Sequence, residues 1–425
     1  MEKIVIKEFG VLKDIELPLK DFMIFSGKNV NGKSTLAKVV YYFKSFRTEL
    51  FNFLNTAIWS RNSDLSISSF NRLMRSKFLK LFGPTFGQNN IEMHYFFGDE
   101  YQITITLKGK YVDFNFYEAF KIDIFDRFVI DLKNFFKSLS SLREQGKDIT
   151  EEKKKFMQEL SDRINEVFGS EQELYYFPSN RNALPALSML KVSQEDYEKT
   201  NYLLYKLHSQ IDSLKHSFSF SLDVLYEKFI GSNEVDEMFK QKYLYAKNII
   251  SKLLKSNLIV DKIGEKLFYN QQSYVRLNFA SSAQQSLVWL LHLLLFKMLD
   301  RKPIFFVIEE PEQFLDPREQ KYIAEFIALI FNSLPSQVII TTHSPYILFA
   351  FSNLLYAYSI GREHSEEVNE IINKDLWLNS DKFMAYEIEG SLKQLFETGI
   401  FLGYEFTEDY ADELHKEYKQ LFKLS

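Results

Sequence analysis

The chain has 425 residues, 46% of them hydrophobic and 16% aromatic, enough for one large domain or two to three smaller ones with well-buried cores. Its 52 basic and 57 acidic residues leave a net charge of −5, which excludes a globally basic nucleic-acid binder and leaves room only for a local basic groove. There is no cysteine, so disulfides, thiolate-ligated zinc and a thiol nucleophile are excluded, and the composition suits the cytoplasm.

The N-terminus, Met1 to Lys7, alternates charged and apolar residues and does not read as a signal peptide. Ile4 and Ile6, then Ile15, Leu17 and Leu19, alternate with polar neighbours around a turn near Gly10, which predicts two strands. A third, apolar strand over Phe22-Met23-Ile24-Phe25-Ser26 runs into Gly27-Lys28-Asn29-Val30-Asn31-Gly32-Lys33-Ser34-Thr35, followed by a helix from Leu36. This stretch fits G-x-x-x-x-G-K-[ST] in the strand–loop–helix context that the phosphate-binding loop requires. Gly27 and Gly32 permit the tight turn in which backbone N–H groups face phosphate oxygens. The helix beginning near Lys33 adds the positive end of its dipole. Lys33 is placed for the β- and γ-phosphates, and the Ser34 hydroxyl for Mg²⁺.

Residues 55–90 read as helix and loop. Three alternating segments between 91 and 116 predict an antiparallel meander with glycine-containing turns. Phe125, Phe128, Val129, Leu132, Phe135 and Phe136 recur at helical spacing. After a charged break at 145–148, Thr150 is expected to cap a helix that Gly169 ends. A short strand over 174–177 leads into Pro178-Ser179-Asn180-Arg181. Ser193-Gln194-Glu195-Asp196 has capping-box form before a long helix expected to reach about Phe229, and another helix covers roughly 235–255. Strand patterning returns over 258–279 around Gly264.

Phe279-Ala280-Ser281-Ser282-Ala283-Gln284-Gln285 opens the most apolar run, Leu287 to Leu299, which is too short to span a bilayer and reads as a buried helix. The serines are either an ordinary N-cap or an anion site at a helix start. Ile304 to Ile308 is a buried strand ending in Glu309 and Glu310. In a chain with a phosphate loop, the first acid reads as the Mg²⁺ holder, directly or through water, and the second as the group that orients and deprotonates the attacking water. A second buried strand, Gln337 to Thr341, delivers His343 to a strand end, where an imidazole can touch a γ-phosphate. Residues 392–424 read as amphipathic helices with Leu392, Leu395 and Phe396 on one face.

The order of phosphate loop, helical middle, Ser-Ser-x-Gln-Gln, Glu-Glu, Leu315-Asp316 and His343 resembles the ABC-type ATPases of the branch containing SMC proteins, RecF and OLD-family ATPases. It is most similar to the OLD-like ATPases of bacterial anti-phage defence, through Tyr176 to Arg181, Glu309-Glu310-Pro311-Glu312 and Thr342-His343-Ser344-Pro345. The resemblance covers about 1–50, 174–182 and 275–355. It implies an α/β fold: an ABC-type P-loop NTPase with a mixed sheet, an antiparallel β subdomain and an α-helical insertion. The segments would be 1–117 with the phosphate loop and meander, 118–256 as the insertion interrupted by strand 174–177, 257–360 with the signature, acids and histidine, and 361–425 as a helical extension.

Carried over by residue, the resemblance implies that Gly27, Asn29, Asn31, Gly32, Lys33, Ser34 and Thr35 bind ATP, with Ser34 and Glu309 on Mg²⁺. It makes Lys33, Glu310 and His343 catalytic. Ser282, with Ala283 and Gln285, would reach the nucleotide of a second copy. Leu315-Asp316 would be a dimer contact, and Arg181 would lie near the γ-phosphate. Ala283 stands where the family has glycine, and Glu309 where classical transporters have aspartate. The implied partners are a second copy or a larger homo-oligomer and a separate effector, a nuclease or toxin. The last eighty residues carry no TOPRIM nuclease pattern, since Ala385 to Gly390 matches only its first part and Asp409 and Asp412 do not complete it. Duplex DNA is a further candidate partner, through Lys153 to Lys155 and Lys240, Lys242 and Lys247, in a DNA-repair or chromosome-processing clamp; a third reading is a nucleotide-binding scaffold with little turnover. No membrane is implied, and the expected location is cytoplasmic.

Overall fold

A computed structural model describes residues 2–28, 30–60, 65–84, 91–97, 101–108, 111–116, 124–144, 149–187, 201–232, 236–397 and 400–401. Asn29, the meander turns at 98–100 and 109–110, the charged break at 145–148, the capping box at Ser193 to Asp196, and residues 402–425 with Asp409 and Asp412 lie outside them.

The chain divides into two units. The first comprises Met1–Leu19, Val30–Leu174 and Glu389–Leu392; the second comprises Lys20–Asn29, Tyr175–Ile388 and Lys393–Ser425. The expected insertion at 118–256 is thus shared between them, with its first part to Leu174 in one and the rest in the other.

In the first unit, strands β1 (Lys3–Phe9) and β2 (Leu12–Pro18) form a hairpin. Strand β3 (Phe22–Ser26) belongs to the second unit, and the phosphate loop after it carries the chain back to helix α1 (Lys33–Ser60). Helix α2 (Ile67–Phe82) follows, then the meander β4 (Glu92–Phe97), β5 (Tyr101–Lys108) and β6 (Tyr111–Phe116). These strands make one antiparallel sheet in the order β2-β1-β4-β5-β6. Phenylalanine and tyrosine supply much of this core. Tyr42 meets Phe46 and Phe78 edge-on, Phe43 stacks on Tyr95, and Phe97 stacks on Phe168. Each such pair adds about 0.5–1.5 kcal/mol beyond the area it buries.

Helices α3 (Arg127–Glu144) and α4 (Thr150–Phe168) complete the described part of this unit. Thr150 is the first helical residue of α4 and not its cap: Ile149 holds that position without a side-chain bond, while Gly169 ends the helix in the left-handed conformation as expected.

The second unit is built on parallel strands. Strand β7 (Glu173–Phe177) precedes helices α5 (Tyr202–Leu214), α6 (Leu222–Ser232) and α7 (Glu237–Leu254). The single long helix expected up to Phe229 is in fact α5 and α6 with a 3₁₀ turn between them, where Phe218 leaves the helical conformation. A three-stranded antiparallel sheet of β8 (Asn257–Asp261), β9 (Gly264–Phe268) and β10 (Tyr274–Arg276) leads to helix α8 (Ser282–Asp300). Strand β11 (Ile304–Glu309), helix α9 (Pro317–Ser333), strand β12 (Ser336–Thr341) and helix α10 (Pro345–Ile360) follow.

Near the end of the described chain, β13 (Phe383–Ile388) and β14 (Leu392–Gln394) join the sheet, whose order is β14-β13-β3-β12-β11-β7. Residues 383–388 are therefore a strand, and 392–394, 396–397 and 400–401 are strand as well, where helix was expected. Phe383, Ala385, Tyr386, Glu387 and Ile388 are all buried, a pattern that suits a strand covered on both faces. Strands β3, β11 and β12 are likewise apolar and buried, and β13, β3, β12 and β11 run parallel. The apolar run in α8 is a helix buried on nearly all sides, as read from the sequence. Its His292 is held neutral, with burial pushing its pKa down to about 4. Among the described residues no helix is long and apolar enough to cross a membrane.

Candidate functional site

Register brings three chain segments to one edge of the parallel sheet. Phe25 of β3 lies opposite Thr341 of β12, and Thr341 lies opposite Glu309 of β11. The Thr342 N–H donates to the Phe25 carbonyl (3.0 Å) and the Glu310 N–H to the Thr341 carbonyl (2.8 Å). The start of the phosphate loop, the two acids and His343 thus leave the carboxyl ends of adjacent parallel strands, where open α/β sheets bind ligands.

At the loop, Gly27 has φ +128°, and a Cβ there would meet the Ile388 carbonyl oxygen of β13 at 2.8 Å. Gly32 has φ +99°, and a Cβ there would meet Leu12 at 2.6 Å. Gly27 is therefore required by conformation and by space, and Gly32 by conformation, since the Leu12 methyl can move aside. Lys33 opens α1 and is buried, Ser34, Thr35 and Asn31 are partly exposed, and Leu36 N–H donates to the Gly32 carbonyl.

The two acids have different surroundings. Glu309 is buried, and both of its carboxylate oxygens accept hydrogen bonds: Oε1 from the Tyr176 hydroxyl (2.6 Å) and Oε2 from the Ser179 N–H (2.8 Å). Each oxygen keeps a second lone pair. Glu310 is partly exposed and stands at φ +46°, a left-handed conformation that costs a non-glycine residue about 1–2 kcal/mol. Its Oε2 accepts from Gln313 Nε2 (2.9 Å).

His343 is half-exposed, with Nδ1 3.9 Å from Glu310 Oε1 and 3.4 Å from Glu312 Oε1. Glu312 is the residue that sequence reasoning missed. It is buried, its Oε1 accepts from the Thr342 hydroxyl (2.7 Å) and the His343 N–H (3.0 Å), and its Oε2 has no hydrogen-bond partner among the described residues. Burial raises its pKa above the ordinary value of 4.5, opposed by the bonds from Thr342 and the His343 N–H. The third acid in Glu-Glu-Pro-Glu was the only available sequence signal.

Residues 1–348 match the family model of the AAA ATPase domain. The chain belongs to that family. A probable ABC transporter ATP-binding protein, p29 of Mesomycoplasma hyorhinis, is 28% identical over 130 residues, spanning 31% of this chain and 46% of that protein. Similar solved structures include an Smc head bound to the C-winged helix domain of ScpA (13% identity, 92% of this chain and 95% of that one, TM-score 0.41) and an SMC head domain from Thermotoga maritima (12% identity, 82% and 90%, TM-score 0.34). These likenesses are distant.

In this AAA ATPase domain the remaining expected residues take varied places. Ser281, not Ser282, caps α8, in a capping box with Gln284. Ser282 is exposed at the first helical position, and Gln285 Nε2 donates to the Asn278 carbonyl (3.0 Å). Leu315 is buried, and Asp316 caps α9, accepting from the N–H groups of Arg318 and Glu319. Arg181, expected beside the γ-phosphate, is 1% exposed, and among the described residues its side chain donates to backbone carbonyls: Nε to Ser286, Nη1 to Pro178 and Glu309, and Nη2 to Glu310. Burial lowers its pKa to about 10, offset by Glu312, Glu309 and Glu310, so it stays charged at neutral pH. A buried guanidinium already committed to four carbonyls is poorly placed to meet a phosphate.

The lysines proposed for DNA are largely engaged. Lys153 is buried, donating to the Ile58 carbonyl over the Trp59 ring, and Lys154 pairs with Glu151. Lys240, Lys242 and Lys247 pair with Glu237, Asp375 and Asp223.

Proposed function

We propose that the chain binds and slowly hydrolyses ATP as an ABC-type ATPase of the OLD-like branch, closes as a homodimer around the nucleotide, and governs a separate nuclease or toxin in anti-phage defence. The observation that carries the catalytic part is the shared sheet edge, where the phosphate loop's strand, Glu309-Glu310 and His343 meet. The loop sequence assigns the triphosphate to Gly27, Asn29, Asn31, Gly32, Lys33, Ser34 and Thr35. Glu310 orients the attacking water and takes its proton, and His343 contacts the γ-phosphate.

Ser34 and Glu309 would hold Mg²⁺, which supplies charge neutralisation on the phosphates when bound. Among the described residues no cluster of three or more His, Asp or Glu could hold a metal ion. Mg²⁺ takes one or two protein ligands and completes its shell with water and substrate phosphates. The free lone pairs on the buried Glu309 carboxylate suit the same role.

Dimerisation rests on the exposed Ser282 at the start of α8, a helix N-terminus with a spare hydroxyl that suits the nucleotide of a second copy. Closure is then a two-state change favoured by the γ-phosphate. The test is the hydrolysis rate against protein concentration, with the oligomeric state measured in parallel. The rate per chain should rise with concentration, or the protein should already be a dimer. A monomer with full activity would contradict the model.

A further inference from the structure

We propose that Arg181 is a positioning residue that couples helix α8 to the turn carrying Glu310. The inference rests on the catalytic reading of Glu310 above, yet its structural part is testable without turnover. One side chain reaches three segments. Nε donates to the Ser286 carbonyl in α8 (3.1 Å), and Nη1 donates to the Glu309 carbonyl (2.6 Å) and to Pro178 of its own turn (3.3 Å). Nη2 donates to the Glu310 carbonyl (3.0 Å). A planar fork with donors on separate edges can serve these directions together, which an ammonium on a flexible stem does not do.

Glu310 needs such a holder. Its left-handed φ of +46° persists only where the surroundings fix it. Its N–H is held by the Thr341 carbonyl, and its own carbonyl accepts from Arg181 and from the Gln313 N–H (3.2 Å). The same short segment fixes the neighbouring acid, because the Tyr176 hydroxyl and Ser179 N–H hold the Glu309 carboxylate. Residues 176–181 therefore grip both acids, Glu309 by its side chain and backbone and Glu310 by its backbone. Through Ser286 the grip extends to the helix whose first residue is the exposed Ser282. A shift of α8 moves a carbonyl that shares Arg181 with Glu310, so a contact at the start of α8 changes the aim of the acid.

The test compares wild type, Arg181→Lys and Arg181→Gln by amide hydrogen exchange without nucleotide, by affinity for a fluorescent ATP analogue, and by single-turnover hydrolysis. Both variants should exchange faster at 309–313 and at the first turns of α8 together. Nucleotide affinity should stay within about threefold of wild type, while the chemical rate falls about 100-fold, the cost of a misplaced catalytic group. Faster exchange confined to 176–181, or equal losses in affinity and rate, would overturn the proposal. Failure of Arg181→Lys to fold would do the same, because a purely structural arginine would then suffice. If wild type itself does not hydrolyse ATP, the catalytic reading falls alone, and the exchange data still decide the coupling.

Discussion

Glu312 and Gly27 show how single residues set this site. Glu312 holds Thr342 and the His343 backbone from a buried position, and burial raises its carboxyl pKa above 4.5. The folded state therefore binds its proton more tightly than the unfolded chain does. Its contribution to stability is fully present below pH 4.5 and is lost as pH rises through the higher folded value. Glu312→Gln keeps an acceptor for both donors and cannot ionise. Denaturant unfolding at several pH values should give a variant whose stability falls less than that of wild type as pH rises above 4.5; parallel profiles would exclude this role. At Gly27, alanine meets both a φ of +128° and the Ile388 carbonyl oxygen at 2.8 Å. Gly27→Ala should destabilise the fold by about 1–3 kcal/mol. Gly10→Ala, at φ +60° with no atom of the described residues within 4 Å of the new Cβ, should cost about 1 kcal/mol. Equal costs on denaturant unfolding would place the constraint in φ alone.

At the scale of elements, what was legible in the chain was what local pattern encodes. The first three strands, the meander, the phosphate-loop helix and the buried strands before Glu309 and His343 all declare themselves through two- or near-four-residue periodicity and glycine punctuation. Strand β13 did not, because its strand character comes from pairing with β3, some 360 residues earlier in the chain. The break between α5 and α6 was hidden because apolar spacing continues across it, and the irregular Phe218 has no glycine or proline to mark it. The serines before α8 were read as a cap or an anion site; Ser281 takes the cap, leaving Ser282 at the first helical position. The grip of Arg181 was not legible at all, since its contacts are backbone carbonyls, which leave no trace in side-chain identity.

For the whole molecule, the central proposal is that Glu310, at the sheet edge shared with the phosphate loop's strand, drives an ATP hydrolysis that governs a separate effector. The most direct measurement is steady-state Mg-ATP hydrolysis by wild type and Glu310→Gln, each with and without duplex DNA. Removing a general base costs about 100- to 10,000-fold, so the variant should lose its activity while still binding ATP. On the proposed effector reading, the wild-type rate should not change with DNA. Stimulation by DNA would replace the effector-control reading with a clamp on duplex DNA. A Glu310→Gln protein as active as wild type would contradict the account at its centre, because the water would then be activated elsewhere.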